Sequence, residues 1–152
     1  TDIVYSGTCA AARQGALDGI PSVALSLYDA DEKYEHFNSL ADFAAKNLKT
    51  LISLSSVQDG GCFVNVNALS LPLYKGVKIA SSLCVREYGD IITLSQKDDG
   101  YDSFFHGGIP CTAKAKDSDN DICMDGFVSV SLVQASPVLA ERKTTKEISF
   151  TL

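Results

Sequence analysis

Thr1-Asp2-Ile3-Val4-Tyr5-Ser6-Gly7-Thr8-Cys9-Ala10-Ala11-Ala12-Arg13-Gln14-Gly15-Ala16-Leu17-Asp18-Gly19-Ile20-Pro21-Ser22-Val23-Ala24-Leu25-Ser26-Leu27 is the stretch that decides the fold. Ile3 to Tyr5 is a short apolar run of β-formers and predicts a strand. Ser6-Gly7-Thr8 is a turn, and Thr8 can cap a following helix. Cys9 to Leu17 is rich in Ala and predicts that helix, with Gly19 as its stop. Val23 to Leu27 returns as an apolar strand. Strand, helix, strand is a βαβ unit, so the two strands are expected to run parallel.

The turn carries the first candidate chemistry. At the start of a helix the first N–H groups have no intrahelical acceptor, and the helix dipole is positive there. Gly7 lets an anion approach the backbone, and Ser6 and Thr8 add hydroxyl donors, so Ser6, Gly7 and Thr8 can hold a phosphate or sulfate. The residues equally allow a plain structural role, with Thr8 only a cap and Gly7 only a turn.

Outward from this unit, residues 28–36 are polar and read as a loop after the second strand. Phe37, Leu40, Ala41, Ala44, Leu48, Leu51 and Ile52 recur at three- and four-residue spacing, which predicts an amphipathic helix of about four to five turns over the sheet. Ser55 to Gly61 ends it with turn residues. Cys62 to Asn67 reads as a strand with Asn65 and Asn67 on one face. Residues 74–115 read as hairpins. Strands over Leu83–Arg86 and Ile91–Leu94 flank Glu87-Tyr88-Gly89-Asp90, and further turns are expected at Asp98-Asp99-Gly100 and Gly107-Gly108. Phe127 to Val133 alternates and predicts a late strand, as does Ile148 to Leu152.

Two other patterns invite chemistry. Asp117, Asp119 and Asp121 imitate the start of a calcium loop, but its sixth position is Ile122 instead of Gly and its twelfth is Val128 instead of Glu. Ser118 or Asp119 as the cap of a short helix, Asn120 to Asp125, is the better reading. Cys9 at a helix start could pair with His36 or His106 as an activated nucleophile, although nothing near either His supplies an orienting base.

Composition sets the class. The 152 residues are 45% hydrophobic and 21% charged, which suits one folded core. A net charge of −6 argues against a nucleic-acid backbone or an anionic membrane surface as the main partner. No apolar run is long enough to span a membrane. Five cysteines at wide spacings, with no Cys-x-x-Cys, suit reduced thiols in an intracellular, cytoplasmic setting better than a disulfide framework or zinc site.

Three segments resemble the survival protein E (SurE) family of metal-dependent 5′-nucleotidases and acid phosphatases. They are Asp2 to Thr8 with the Ala-rich helix and Gly19 to Ser26; Phe63-Val64-Asn65-Val66-Asn67; and Ser118-Asp119 before Gly126-Phe127-Val128-Ser129-Val130-Ser131. The resemblance implies an α/β fold, the C-terminal part of a Rossmann-like parallel-sheet layer with an appended antiparallel β-hairpin arm. Residues 1–73 would belong to the core, 74–115 to an arm used in oligomer contacts, and 116–152 to a return into the core and a tail. It also implies a divalent metal, Mg²⁺ or Mn²⁺, whose family ligands lie in an Asn-Asp-Asp strand and a Gly-Asn-Gly-Asn loop expected upstream of Thr1.

The implied activity is metal-assisted hydrolysis of nucleoside monophosphates or similar phosphomonoesters. Ser6, Gly7 and Thr8 would sit at the phosphate, with Asp2 as a supporting or hinge carboxylate. The expected partners are the N-terminal half of the same protein and further copies of the chain. Alone, these residues are expected to be inactive. The competing reading is a catalytically silent structural or oligomerisation module that lacks the metal site. Either way, a parallel sheet this small is expected to leave an exposed apolar edge.

Overall fold

A computed structural model describes residues 2–29, 35–55, 61–106, 111–113 and 116–137. In chain order the elements are α1 (Asp2–Tyr5), α2 (Gly7–Leu17), β1 (Val23–Tyr28), α3 (Phe37–Leu54), β2 (Cys62–Leu69) and β3 (Val77–Ile79). They continue with β4 (Val85–Glu87), β5 (Ile91–Lys97), β6 (Gly100–His106), β7 (Cys111–Ala113), α4 (Asp119–Met124) and β8 (Val128–Gln134). Among the described residues four strands make the main sheet, in the order β1-β2-β8-β3. β1 and β2 are parallel, with Leu25 opposite Val66. β8 runs antiparallel to β2, and β3 is parallel to β8.

Side-chain alternation divides the sheet into two faces. Val64, Val66, Ala68, Val128 and Val130 point to one face, where α3 covers them with Leu40 and Leu51. The helical period of the α3 sequence therefore does what it predicts. The other face is apolar at one end, where Ala24, Phe63 and Val133 pack under Cys9, Ala12 and Ala16 of α2. Beyond that it turns polar. Asn65 stands beside Ala24 and Ser131, and Asn67 beside Ser26 and Ser129. Ser129 and Ser131 are buried, and among the described residues their hydroxyls have no hydrogen-bond partner.

Both helices on this polar face are closed by local chemistry. Gly19, at φ +78°, gives α2 a left-handed stop, with its N–H on the Ala16 carbonyl and the Ile20 N–H on that of Gly15. Gly126, at φ +84°, ends α4 in the same way. The Ser118 hydroxyl caps the start of α4, accepting from the Asp121 N–H at 3.2 Å. The Asp117–Asp121 segment is thus a capped helix start, as the failed calcium pattern implies.

Three local expectations are corrected. Ile3 to Tyr5 is not a strand but the body of α1. β-formers make a strand only beside a ladder partner, and without one their backbone groups are satisfied by a helical turn. The parallel unit is therefore β1-α3-β2, one element later than read. The cap of α2 is Ser6, not Thr8: its hydroxyl accepts from the Cys9 N–H at 3.2 Å. Finally, β4 does not pair with β5 across Gly89. It pairs with β7, while β5 and β6 form a hairpin closed at Asp98-Asp99. The final strand read at Ile148–Leu152 and the turn at Gly107-Gly108 lie outside the described residues.

Candidate functional site

A cleft of about 180 Å³ opens beside the carboxyl ends of the parallel strands β1 and β2. That is the side on which open α/β sheets bind ligands. The strands contribute Ser26, Asn67 and Leu69 to it, α4 contributes Asp119, Asn120 and Met124, and α1 contributes Asp2 and Ile3. Leu83, Cys84 and Arg86 close it from the β3–β4 side.

The charged groups of this cleft are already engaged. Asp2 pairs with Arg86 at 3.3 Å and accepts a hydrogen bond from the Tyr88 hydroxyl at 2.7 Å. Tyr5 meets the Tyr88 ring edge-on, with centroids 6.4 Å apart. Asp119 accepts from the backbone N–H groups of Cys84, at 2.7 Å, and Asn120, at 2.9 Å. The loop that carries Cys84 is also stitched to α4, because the Asp119 N–H donates to the Ser82 carbonyl at 3.1 Å.

Two thiols line the cleft, and both are held in the protonated form. Burial, reinforced by the Asp119 carboxylate, pushes the Cys123 thiol up to about 12, and it donates to the Asn67 carbonyl at 3.3 Å. Burial first, then Asp119, raises Cys84 in the same direction. Both stay protonated at neutral pH. The proposed Cys9–His36 pair does not form. Cys9 is buried on the α2 face and donates to Asn65 Oδ1 at 3.5 Å, while His36 starts α3 on the opposite face. The His106 side chain lies outside the described residues.

Ser6, Gly7 and Thr8 sit at the start of α2, directly after α1. The first intrahelical bond runs from the Ala10 N–H to the Ser6 carbonyl at 2.9 Å, and Ser6 Oγ takes the Cys9 N–H. The N–H groups of Gly7 and Thr8 are left without intrahelical acceptors. Both residues are exposed, and a Cβ on Gly7 would meet no atom within 4 Å. The turn is thus open to solvent, and Asp2, one helical turn earlier, reaches into the cleft. Sequence reading singled out Asp2 and Ser118-Asp119, but not Arg86, Tyr88 or Asn120, which no local pattern marks.

Among the described residues no three His, Cys, Asp or Glu side chains converge on one point. They do not by themselves form a centre for a divalent cation.

Comparison with known proteins sets this geometry in a family. Residues 1–89 match the family model described as Survival protein SurE. The chain belongs to the SurE family. It is 29% identical over 133 residues to a 5′-nucleotidase SurE of Alkaliphilus metalliredigens, covering 86% of this chain and 51% of that protein. It is 30% identical over 142 residues to a 5′-nucleotidase SurE of Campylobacter fetus, covering 88% of this chain and 54% of that protein. The crystal structure of the SurE protein from Aquifex aeolicus shares the fold, with a TM-score of 0.67 at 24% identity over 90% of this chain and 54% of that one. The chain spans about half the length of the curated relatives it matches.

Proposed function

We propose that the chain is the phosphate-binding part of a phosphomonoesterase that hydrolyses nucleoside monophosphates or similar esters. One observation carries the reading: the open Ser6-Gly7-Thr8 turn, with two N–H groups free of helical acceptors, directly follows α1, whose Asp2 and Ile3 line the cleft. The turn supplies backbone donors, the Thr8 hydroxyl and the positive end of an eleven-residue helix to a phosphoryl dianion. Asp2 does not touch the phosphate in this reading. Its tie to Arg86 and Tyr88 fixes α1, and α1 aims the turn. When bound, a divalent cation such as Mg²⁺ or Mn²⁺ would polarise the ester, held by residues outside the described ones.

The test is turnover of p-nitrophenyl phosphate and nucleoside monophosphates by the chain supplied with the N-terminal half that the family resemblance implies, with Mg²⁺ or Mn²⁺ and with EDTA, beside the chain alone, which is expected to be inactive. Turnover that EDTA stops and Thr8→Ala lowers supports the reading. Hydrolysis indifferent to Thr8 removes the turn from the site, and no hydrolysis under either metal leaves the silent module as the better account.

A separate observation favours assembly. The β5–β6 hairpin exposes Ile92 and Leu94 on one side and Ile91 and Phe104 on the other, and an isolated two-stranded ribbon is marginal in water. Within residues 74–115 it forms an arm suited to pairing with further copies of the chain. The buried thiols of Cys9 and Cys123 suit a reducing, cytoplasmic setting. No helix among the described residues is long and apolar enough to cross a membrane.

A further inference from the structure

The sheet face under α2 and α4 carries a buried polar strip that neither the cleft nor the turn uses. Ser131 stands opposite Asn65, and Ser129 opposite Asn67, across the antiparallel β2–β8 ladder. Asn65 and Ser131 are 3% exposed, and Ser129 is 0% exposed. Among the described residues neither serine hydroxyl has a hydrogen-bond partner. The Asn65 carboxamide has one: its Oδ1 accepts from the Cys9 thiol at 3.5 Å, while its Nδ2 hydrogens meet no acceptor among the same residues. Three side chains, each more than nine-tenths buried, thus offer polar atoms that no described protein group takes up.

Such groups are costly to bury bare. An unpartnered hydroxyl or amide loses its hydration and gains nothing in exchange. The roof over the strip offers no relief. Its thiols are weak donors and already engaged, Cys9 on Asn65 Oδ1 and Cys123 on the Asn67 carbonyl at 3.3 Å. Nor do the serines reach each other, because alternate residues of a strand stand about 6.6 Å apart. Two hydrogen bonds of about 2.8 Å through one shared oxygen cover most of that gap. The bridging molecule must be small, and it must both donate and accept. Water meets both conditions, and a buried water typically makes about three such bonds.

We propose that Asn65, Ser129 and Ser131 form an internal water site between the sheet and its helices, with an ordered water shared by the two hydroxyls and accepting from Asn65 Nδ2. Its route to solvent follows the same face: Asn67 and Ser26 continue the strip from Ser129, and both line the cleft. The helical layer is therefore seated on apolar contacts at the Phe63 end and on water beyond them. The site stands whatever the cleft or the turn binds.

The experiment compares the full chain with the double variant Ser129→Ala, Ser131→Ala. Relaxation dispersion of the solvent oxygen signal counts waters held inside the protein for longer than it takes to tumble, and urea melts give the folding constant. The variant should lose at least one internal water, and its folding constant should stay level or fall by up to about tenfold. Bare hydroxyls predict the opposite: removing each relieves a desolvation cost and raises the folding constant by about fivefold to a hundredfold. An unchanged water count, or a folding constant raised by that much, overturns the site. Crystals of the unaltered chain give an answer that needs no variant to fold. Density for a water within hydrogen-bond distance of both serine hydroxyls supports the site, and its absence from a well-ordered strip overturns it.

Discussion

The Tyr88 hydroxyl donates to the Asp2 carboxylate at 2.7 Å across 86 residues of sequence. Asp2 begins the helix that leads into the Ser6–Thr8 turn, and Tyr88 follows β4 at the base of the hairpin region. The bond therefore ties the segment after β4 to the helix that precedes the turn. It also raises the Tyr88 phenol above the usual 10.0, because ionisation would place two anions face to face. The stabilising contribution is complete below pH 10 and is lost as pH rises through the elevated value. Tyr74 is raised too, chiefly by burial, so Tyr74 and Tyr88 should ionise late in an ultraviolet titration. Tyr88→Phe should remove one of them and speed amide exchange at Ile3 to Tyr5 while leaving α3 unchanged.

Ser6 and Thr8 should separate stability from binding. Ser6→Ala removes a helix cap and is expected to cost about 1 kcal/mol of folding stability. Thr8→Ala lies on an exposed position and should move stability by no more than about 0.5 kcal/mol. If its hydroxyl meets a charged phosphate, kcat/KM should nevertheless fall by about tenfold to a hundredfold. Urea melts beside steady-state kinetics decide between the roles.

Cys123 predicts an alkaline weakness. Its folded value of about 12 exceeds the ordinary 9.0, so the folded state holds the proton longer than the unfolded chain. Stability falls as pH rises between those values, with a limiting slope of about 1.4 kcal/mol per pH unit. Cys123→Ala should flatten the slope of denaturation midpoints measured across pH 9 to 11, whatever it does at pH 7.

Phe63 is fully buried on β2 beneath α2. Phe63→Ala should cost about 3–5 kcal/mol, enough to unfold a marginal domain. A loss below about 1 kcal/mol in urea melts would show that the α2 layer is not packed on the sheet as described.

The hairpin prediction is of assembly. Replacing Ile92 and Leu94 with Lys removes apolar surface exposed on one side of β5. Sedimentation velocity should show smaller species for the double variant if the ribbon joins copies of the chain. An unchanged distribution would remove the ribbon from the interface.

What could be read in advance was local. α3 declared itself by period, and Gly19 fixed the end of α2 because only a left-handed residue closes that turn. Asp98-Asp99 marked the hairpin because two residues suffice to reverse the chain. The opening of the molecule misled, since Ile3-Val4-Tyr5 has strand propensity but α1 has no ladder to join. β4 misled for a similar reason: Gly89 looks like a hairpin turn, but the strand finds its partner at Cys111–Ala113. The cleft was hardest to see. Asp2, Asn67, Arg86 and Asn120 come from four separate segments, and no spacing rule brings them together.

Among the described residues β1 is an outer strand of the main sheet, with Leu25 and Tyr28 exposed along it. Any strand that pairs there is held to one register by its own alternation, because a slip of one residue would carry all of that strand's side chains to the opposite face. Completion of the sheet and recruitment of that strand are then one equilibrium. If the strand comes from another molecule, the melting temperature should climb with protein concentration, and a measurement at a single dilution would report the affinity of the edge as much as the strength of the core.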